Sequence, residues 1–399
     1  MLGYRLSRLI APLLTLCWVG LAGAQPSPVL QTGQKTCYDE DGRKVRCRGT
    51  GQDGDYRFGM GMGSGRFRDN RDGTVTDTLT NLTWLKNGDC FGAQTWTEAL
   101  NSSNTLKNGS CGLNDGSRAG DWRLANIIEL QSLLDYEYEG FALSKNHPFT
   151  NVSTGTYWTS TQSPAAPPLG WFITLSLGPT VFDVKVNNFH VWPVKGGLGS
   201  DARLPKSGQT TCWNPFGQTI DCKGTGQDGE IQAGVPWPNP RFTDNRDGTI
   251  TDNLTNLVWL KKSNCLGFTT FDDALRAARR LADPFCGLTD NSQRGDWRIP
   301  NIRELQSLQA YNTFAPDLPP GHPFVDVQPT LTWTSTALAG AAAQGWFTIF
   351  GVGPSVFEDK AVPLAVWPVK GGERRNASRS DGAGGNNNRS DKQDDQEEK

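Results

Sequence analysis

The chain has 399 residues, with 39 Lys and Arg against 41 Asp and Glu and a mean hydropathy of −0.50. The charge balance excludes the basic footprint of a nucleic-acid binder, and the length allows two or three domains, each able to bury a core. Forty-six glycines and 14 tryptophans, with short helix-forming runs, suit a loop-rich fold fixed by aromatic packing and cross-links.

Arg5 and Arg8 precede an apolar run, Leu9 to Leu21, that ends in Ala22-Gly23-Ala24. This is the pattern of a signal peptide over 1–24, cleaved after Ala24. Cys17 follows Leu16, a poor lipoprotein site, and is lost with the signal. No later stretch is apolar enough to span a bilayer, so no transmembrane segment is expected after cleavage.

The remainder is written twice. Gly120-Asp121-Trp122-Arg123 returns as Gly295-Asp296-Trp297-Arg298, and an offset of 175 also links cysteines, tryptophans and the His-Pro-Phe of His147 and His322. The expected organisation is repeat 1 over 29–197, a linker at 198–203, repeat 2 over 204–372 and a disordered polar tail over 373–399.

Eight cysteines in an exported chain read as disulfides. Four per repeat allow three pairings. The preferred set is Cys37–Cys47 and Cys90–Cys111, with Cys212–Cys222 and Cys265–Cys286. The first pair of each brackets a hairpin turn and the second a helix.

In chain order, Gly-Thr-Gly-Gln-Asp-Gly (Gly49–Gly54, Gly224–Gly229) predicts a looped backbone. No Gly-Lys-Ser/Thr follows, so it is not a phosphate cradle. Arg66–Asp77 and Arg241–Asp252 predict a hairpin turned at Asp-Gly. A sharper reading is a calcium loop from Asn70, Asp72 and Asp77, with Asn245, Asp247 and Asp252 in the second copy. It fails as an EF-hand, whose first and twelfth ligands would fall on Arg68 and Leu79. Calcium is the one ion these loops suggest, and no other cofactor is expected.

A first helix starts at Thr95 with Glu98 three residues on, and at Thr270 with Asp273. In repeat 2 it carries Arg276, Arg279 and Arg280, with Lys261 and Lys262 shortly before. Repeat 1 has Asn101, Asn104 and Thr105 at the arginine positions. These five cations are the candidate anion-binding patch. A second helix starts at Asn126 or Asn301, with Glu129 or Glu304 at its third position. Trp122 and Trp297 are expected beneath it, and Arg123 and Arg298 beside a carboxylate. Four short strands complete each repeat, near 157–161, 170–175, 180–184 and 190–194 in the first. Short connections predict antiparallel pairing.

The long motifs, from Arg-Phe-Thr-Asp-Asn-Arg-Asp-Gly-Thr-Ile-Thr-Asp to Asp-Trp-Arg-Ile-Pro-Asn-Ile-Arg-Glu-Leu-Gln-Ser-Leu and Val-Trp-Pro-Val-Lys-Gly-Gly, resemble the bacterial domain family named after the C-terminal domain of the Legionella collagen-like adhesin. Repeat 1 departs at Ala125, where the pattern has proline, and no Gly-X-Y stalk is present. The resemblance implies an α+β fold of two tandem C-type-lectin-like domains, each with two helices on antiparallel sheets, disulfide-stapled. It also implies adhesin-like binding of a polysaccharide or sulfated glycan. No Glu-Pro-Asn or Gln-Pro-Asp motif supports calcium-dependent sugar binding.

The expectation is therefore an exported, non-catalytic binding protein, periplasmic, outer-surface or extracellular. The alternative is a structural envelope or appendage component with a protein partner. Further from it stands an enzyme on a scaffold like that of the formylglycine-generating enzymes, since every mature cysteine already has a structural partner.

Overall fold

The computed structural model describes residues 26–63, 65–315, 317–372 and 374–375. The expected signal peptide, and the tail from 376 on, lie outside the described residues. The fold is α+β, with six α-helices among the described residues: α1 (Asp53–Tyr56), α2 (Trp96–Thr105), α3 (Ile127–Ser132), α4 (Asp228–Ile231), α5 (Phe271–Arg280) and α6 (Ile302–Ser307). All four preferred disulfides are formed. Cys37 and Cys47 close the hairpin of Cys37–Tyr38 with Lys44–Val45, and Cys90 and Cys111 bracket α2.

Helix starts follow from local chemistry. Thr95 and Glu98 form a reciprocal capping box on α2. Thr270 accepts the Asp273 amide on α5, where the shorter acid does not complete the box. The α3 box is buried and does more. Asn126 accepts the Glu129 amide at 2.9 Å, and Glu129 accepts the Asn126 amide at 2.9 Å. Glu129 also takes both Arg123 guanidinium nitrogens at 2.6 Å, while Arg123 donates to the Gly196 carbonyl at 2.8 Å. Arg298, Glu304 and Gly371 repeat this around α6. Trp122 and Trp297 are fully buried, each donating Nε1–H to a serine, Ser117 or Ser292, at 3.0 Å. The Asp-Trp-Arg and Asn-x-x-Glu motifs are thus one scaffold unit.

Each repeat has a small sheet. In repeat 1 its spatial order is Phe67–Asp69, Thr74–Asp77, Leu82–Leu85, Pro193–Gly196 and Arg123–Leu124. The Asp-Gly turn forms as expected: the Asn70 amide donates to the Thr74 carbonyl at 3.1 Å, and Gly73 sits at φ 85°. The last expected strand, 190–194, is instead divided. Phe189–His190 joins the large sheet and Pro193–Gly196 the small one. Proline lacks the N–H that a continuous ladder needs. His190 also pairs in parallel with Tyr157, so the large sheet is not wholly antiparallel.

The large sheet is continuous across both repeats. Its ten strands run Phe268–Thr269, Leu364–Ala365, Leu331–Ala337, Gln344–Ile349 and Ser355–Asp359, then Thr180–Val184, Leu169–Thr174, Thr156–Gln162, Phe189–His190 and Ala93–Gln94. The halves are the same five strands in reverse order. They meet where Thr180 pairs antiparallel with Ser355, both fully buried. Tyr136 meets Trp346 edge-to-face at 5.3 Å, and Tyr311 meets Trp171 likewise at 5.4 Å. The repeats are related by an internal two-fold.

Each opening segment reaches onto the other repeat. Gln34 brackets Ala337, accepting its amide at 2.9 Å and donating to its carbonyl at 2.7 Å, while Gln209 does the same to Gln162 at 3.0 and 2.8 Å. Asp53 accepts Thr336 Oγ1–H at 2.7 Å, and Asp228 accepts Thr161 Oγ1–H at 2.6 Å. Gly-Thr-Gly-Gln-Asp-Gly is therefore not wholly loop, since its last residues open α1 and α4 and carry these buried aspartates. Lys360 binds the Asp39 carbonyl at 2.9 Å, and burial pushes its ammonium down to about 8. In the linker, Gly199–Asp201 forms a 3-10 turn. Within the stretch expected as tail, Arg374 and Arg375 pair in parallel with Gly59 and Met60.

Two outcomes follow from these buried charges. Glu304→Ala leaves Arg298 buried without its partner, with an expected loss of about 3–5 kcal/mol in denaturant unfolding of the oxidised protein. A loss under about 1 kcal/mol would contradict the scaffold role. The second outcome concerns pH. Burial pushes Asp53 and Asp228 up from 3.8 to about 6. The native state then holds more protons than the unfolded chain between those values, so this contribution is fully present below them and is lost as pH rises toward about 6. Asp53→Asn with Asp228→Asn removes that dependence. The stability advantage of wild type over this variant should shrink by about 2–3 kcal/mol between about pH 5 and pH 7.5, read from unfolding curves at both. An advantage independent of pH would contradict the assignment.

Candidate functional site

The five cations expected as an anion patch carry counter-charges or acceptors. Lys261 pairs with Asp244 at 2.7 Å, and Lys86 pairs with Asp69 at 2.8 Å in repeat 1, so this lysine is shared scaffold. Lys262 faces Asp326 at 3.4 Å and Arg276 pairs with Asp273 at 2.7 Å. Arg279 donates to the Gly49 carbonyl of the opening segment, and Arg280 ends α5 exposed, its charge reaching Asp273. Three of these cations are thus paired with acids of repeat 2 itself, and Arg279 is held by a carbonyl of the repeat-1 opening segment.

The calcium positions are also engaged by protein. Asp77 is fully buried, its oxygens held by Arg66 at 2.9 and 2.6 Å and by Thr80 at 2.8 Å. Asp72 accepts the Thr74 amide and hydroxyl at 3.0 and 2.6 Å, and Asn70 donates to Thr74 and Thr76. Asn245, Asp247 and Asp252 repeat these roles with Thr249, Thr251 and Arg241. An arginine in the ligand set opposes a cation. No cluster of three or more His, Cys, Asp or Glu able to hold a metal occurs among the described residues. These side chains hold the hairpin turns together.

His147 and His322 pack against Phe149 and Phe324, and burial pushes both imidazoles down. His190 is private to repeat 1, its Nδ1 2.7 Å from Asp89. Ser153 lies nearby across Gly155 and accepts the Gly155 amide at 3.0 Å.

A further concave feature lies elsewhere. A cleft of about 970 Å³ opens in repeat 1 between the opening segment, the 59–65 loop, the end of α3 and the 144–146 turn. Lys35, Arg57, Lys145 and Arg203 line it, with buried Arg66 deeper and Asp135 as the acid among its lining residues. Lys35, Lys145 and Arg203 are exposed. Lys145 lies 5.1 Å over the Tyr138 ring, and Arg57 donates Nε–H to the Gly54 carbonyl at 3.1 Å. Burial pushes the Asp135 carboxyl up.

Repeat 2 differs at this place in two ways. Where repeat 1 has Lys35, Arg57 and Lys145, repeat 2 has Thr210, Gln232 and Pro320. Where repeat 1 has Gly61-Met62-Gly63-Ser64-Gly65, repeat 2 has Pro236-Trp237-Pro238-Asn239-Pro240. The Trp237 indole lies directly on Gly208, stacks 4.4 Å from the Arg241 guanidinium and donates Nε1–H to the Lys206 carbonyl at 3.0 Å. The sequence held this signal, a five-residue composition change at constant offset beside three lost cations. The charge comparison made only along the first helix missed it.

The geometry defines a disulfide-stapled α+β protein built as an internal two-fold pair, with an open cationic cleft in repeat 1. The family model described as the Lcl C-terminal domain matches residues 73–195 and 248–370, more than half of the chain, and the chain belongs to that family. Both matches leave out the exchanged opening segments. No curated protein and no solved structure matches the chain.

Proposed function

We propose that the chain is an exported, non-catalytic binding protein that recognises an acidic polysaccharide or sulfated glycan through the repeat-1 cleft. The observation that carries this reading is the ring of Lys35, Arg57, Lys145 and Arg203 around a concavity of about 970 Å³, large enough for a few sugar units. Cations at the rim of a groove attract an anionic chain and orient it. The rigid frame behind them suits recognition by loops. Four disulfides accord with an oxidising compartment. No helix among the described residues is long and apolar enough to cross a membrane. Two main helices against twisted sheets in each repeat accord with a C-type-lectin-like reading of the domain.

A second reading, a structural envelope component that engages a protein, is favoured by exposed phenylalanines private to repeat 2. Phe216, Phe268, Phe285 and Phe314 stand where repeat 1 has Asp41, Ala93, Ser110 and Glu139.

The test is calorimetric titration of the mature protein with sulfated and neutral oligosaccharides over a salt series. Salt-sensitive binding of the sulfated ligand is expected. Arg57→Gln with Lys145→Gln should weaken it by about 2–3 kcal/mol, each cation contributing about 1–1.5. Arg276→Ala with Arg280→Ala should leave it nearly unchanged. Loss of binding in the second variant but not the first would return the site to α5. No binding of either ligand at low salt would discard the glycan reading.

A further inference from the structure

The two-fold sets the cleft of repeat 1 against its twin in repeat 2, and the twin is filled. Trp237 occupies it, donating Nε1–H to the Lys206 carbonyl at 3.0 Å, with the Arg241 guanidinium 4.4 Å from its ring. A Cβ on Gly208 would collide with the indole, so the ring rests on bare backbone. The same floor exists in repeat 1. Gly33 has φ 94° against 87° for Gly208, Arg66 stands for Arg241, and Gln31 stands for Lys206. Above Gly33 sit the Met62 methyl and the Asp135 carboxyl, where a Cβ on this glycine would collide with both. Met62 Sδ accepts from Arg66 Nη1–H at 3.3 Å. A thioether is narrower and more adaptable than an indole, and glycines flank it where prolines flank Trp237.

We propose that the Met62 position is a ring-binding subsite, one per chain, and that Trp237 is the built-in occupant of its twin. This rests on the glycan reading above and deepens it. The ligand unit is an acidic pyranose. Its ring face replaces Met62 over Gly33 and beside Arg66. A hydroxyl donates to Asp135, which has no counterpart in repeat 2, where Ala310 stands. Its carboxylate or sulfate meets Arg57, Lys35 and Lys145. Repeat 2 is then expected not to bind, because Trp237 fills its subsite and its rim cations are gone.

The test is titration of the full mature chain with a sulfated tetrasaccharide and with an uncharged tetrasaccharide of the same length. Wild type should bind the sulfated probe with a stoichiometry of one. Met62→Trp, which sets an indole where Trp237 stands in the twin, should weaken it at least about tenfold, with the melting temperature of the variant showing that it is folded. Met62→Ala, which empties the same space, should bind as well as wild type or better. Asp135→Ala should weaken binding without changing its salt dependence. Undiminished binding by a folded Met62→Trp variant, or a stoichiometry of two, would overturn the subsite while leaving the glycan reading standing. Absence of binding by wild type would overturn both.

Discussion

The antiparallel contact of Thr180 with Ser355 is the constraint on which the rest depends. It joins two five-stranded halves into one sheet, and it buries an edge that each half would otherwise expose. It also fixes a two-fold. Once two copies are related that way, any segment of one that reaches the other has a partner that reaches back. The opening segments use this. Gln34 and Gln209 each bracket one residue of the opposing long strand as a neighbouring strand would, and Asp53 and Asp228 each accept from a buried threonine beside it. Neither repeat is complete alone: the packing unit is the pair, although the sequence unit is the single copy.

Within that frame, departures from symmetry are informative. Repeat 2 has Arg303 where repeat 1 has Ile128. Arg303 crosses the interface to the Ser132 and Leu134 carbonyls, and burial pushes its guanidinium down to about 10. Repeat 2 also carries the Trp237 loop. Its Arg241 stands 3.4 and 3.5 Å from Asp252, whereas Arg66 sits 2.9 and 2.6 Å from Asp77. Stacking on Trp237 and pairing with Asp252 share one guanidinium. The asymmetries of repeat 2 fill space and tie the halves together. Those of repeat 1 leave space and surround it with charge.

What could be read from the residues was what local chemistry decides. The caps at Thr95, Asn126 and Asn301, the Asp-Gly turn and the cysteine brackets each depend on groups a few positions apart. The buried Arg–Glu pairs were legible for the same reason, since six residues separate the partners. The exchange of Asp53 onto Thr336 was not legible, because the contact spans 283 residues and a lone aspartate after a glycine looks like a turn. The strand near 190 was read as one because Val191-Trp192 is apolar throughout. Only Pro193 marked the crossing between sheets. The partners of the cations on α5 were not legible, because a sequence shows charges without their counter-charges, and Gly49 and Glu40 come to that helix from far along the chain.

The 61–65 loop is the place where consistency across levels is broken. Three glycines give a loop its greatest unfolded entropy, so ordering it is costly, and the two methionines beside them, Met60 and Met62, are only half buried. The Pro-Trp-Pro-Asn-Pro solution in repeat 2 answers each of these costs with a different loop backbone, since Gly63 and Gly65 hold φ of 53° and 83°, which proline cannot adopt. Proline restricts the unfolded chain, and the indole covers Gly208. The stabilising solution is thus compatible with this fold and stands in the same chain, yet repeat 1 does not have it. Natural sequences give up local stability chiefly where a site needs the room. Here the room left open is lined by Lys35, Arg57 and Lys145, cations that repeat 2 lacks at the matching positions Thr210, Gln232 and Pro320.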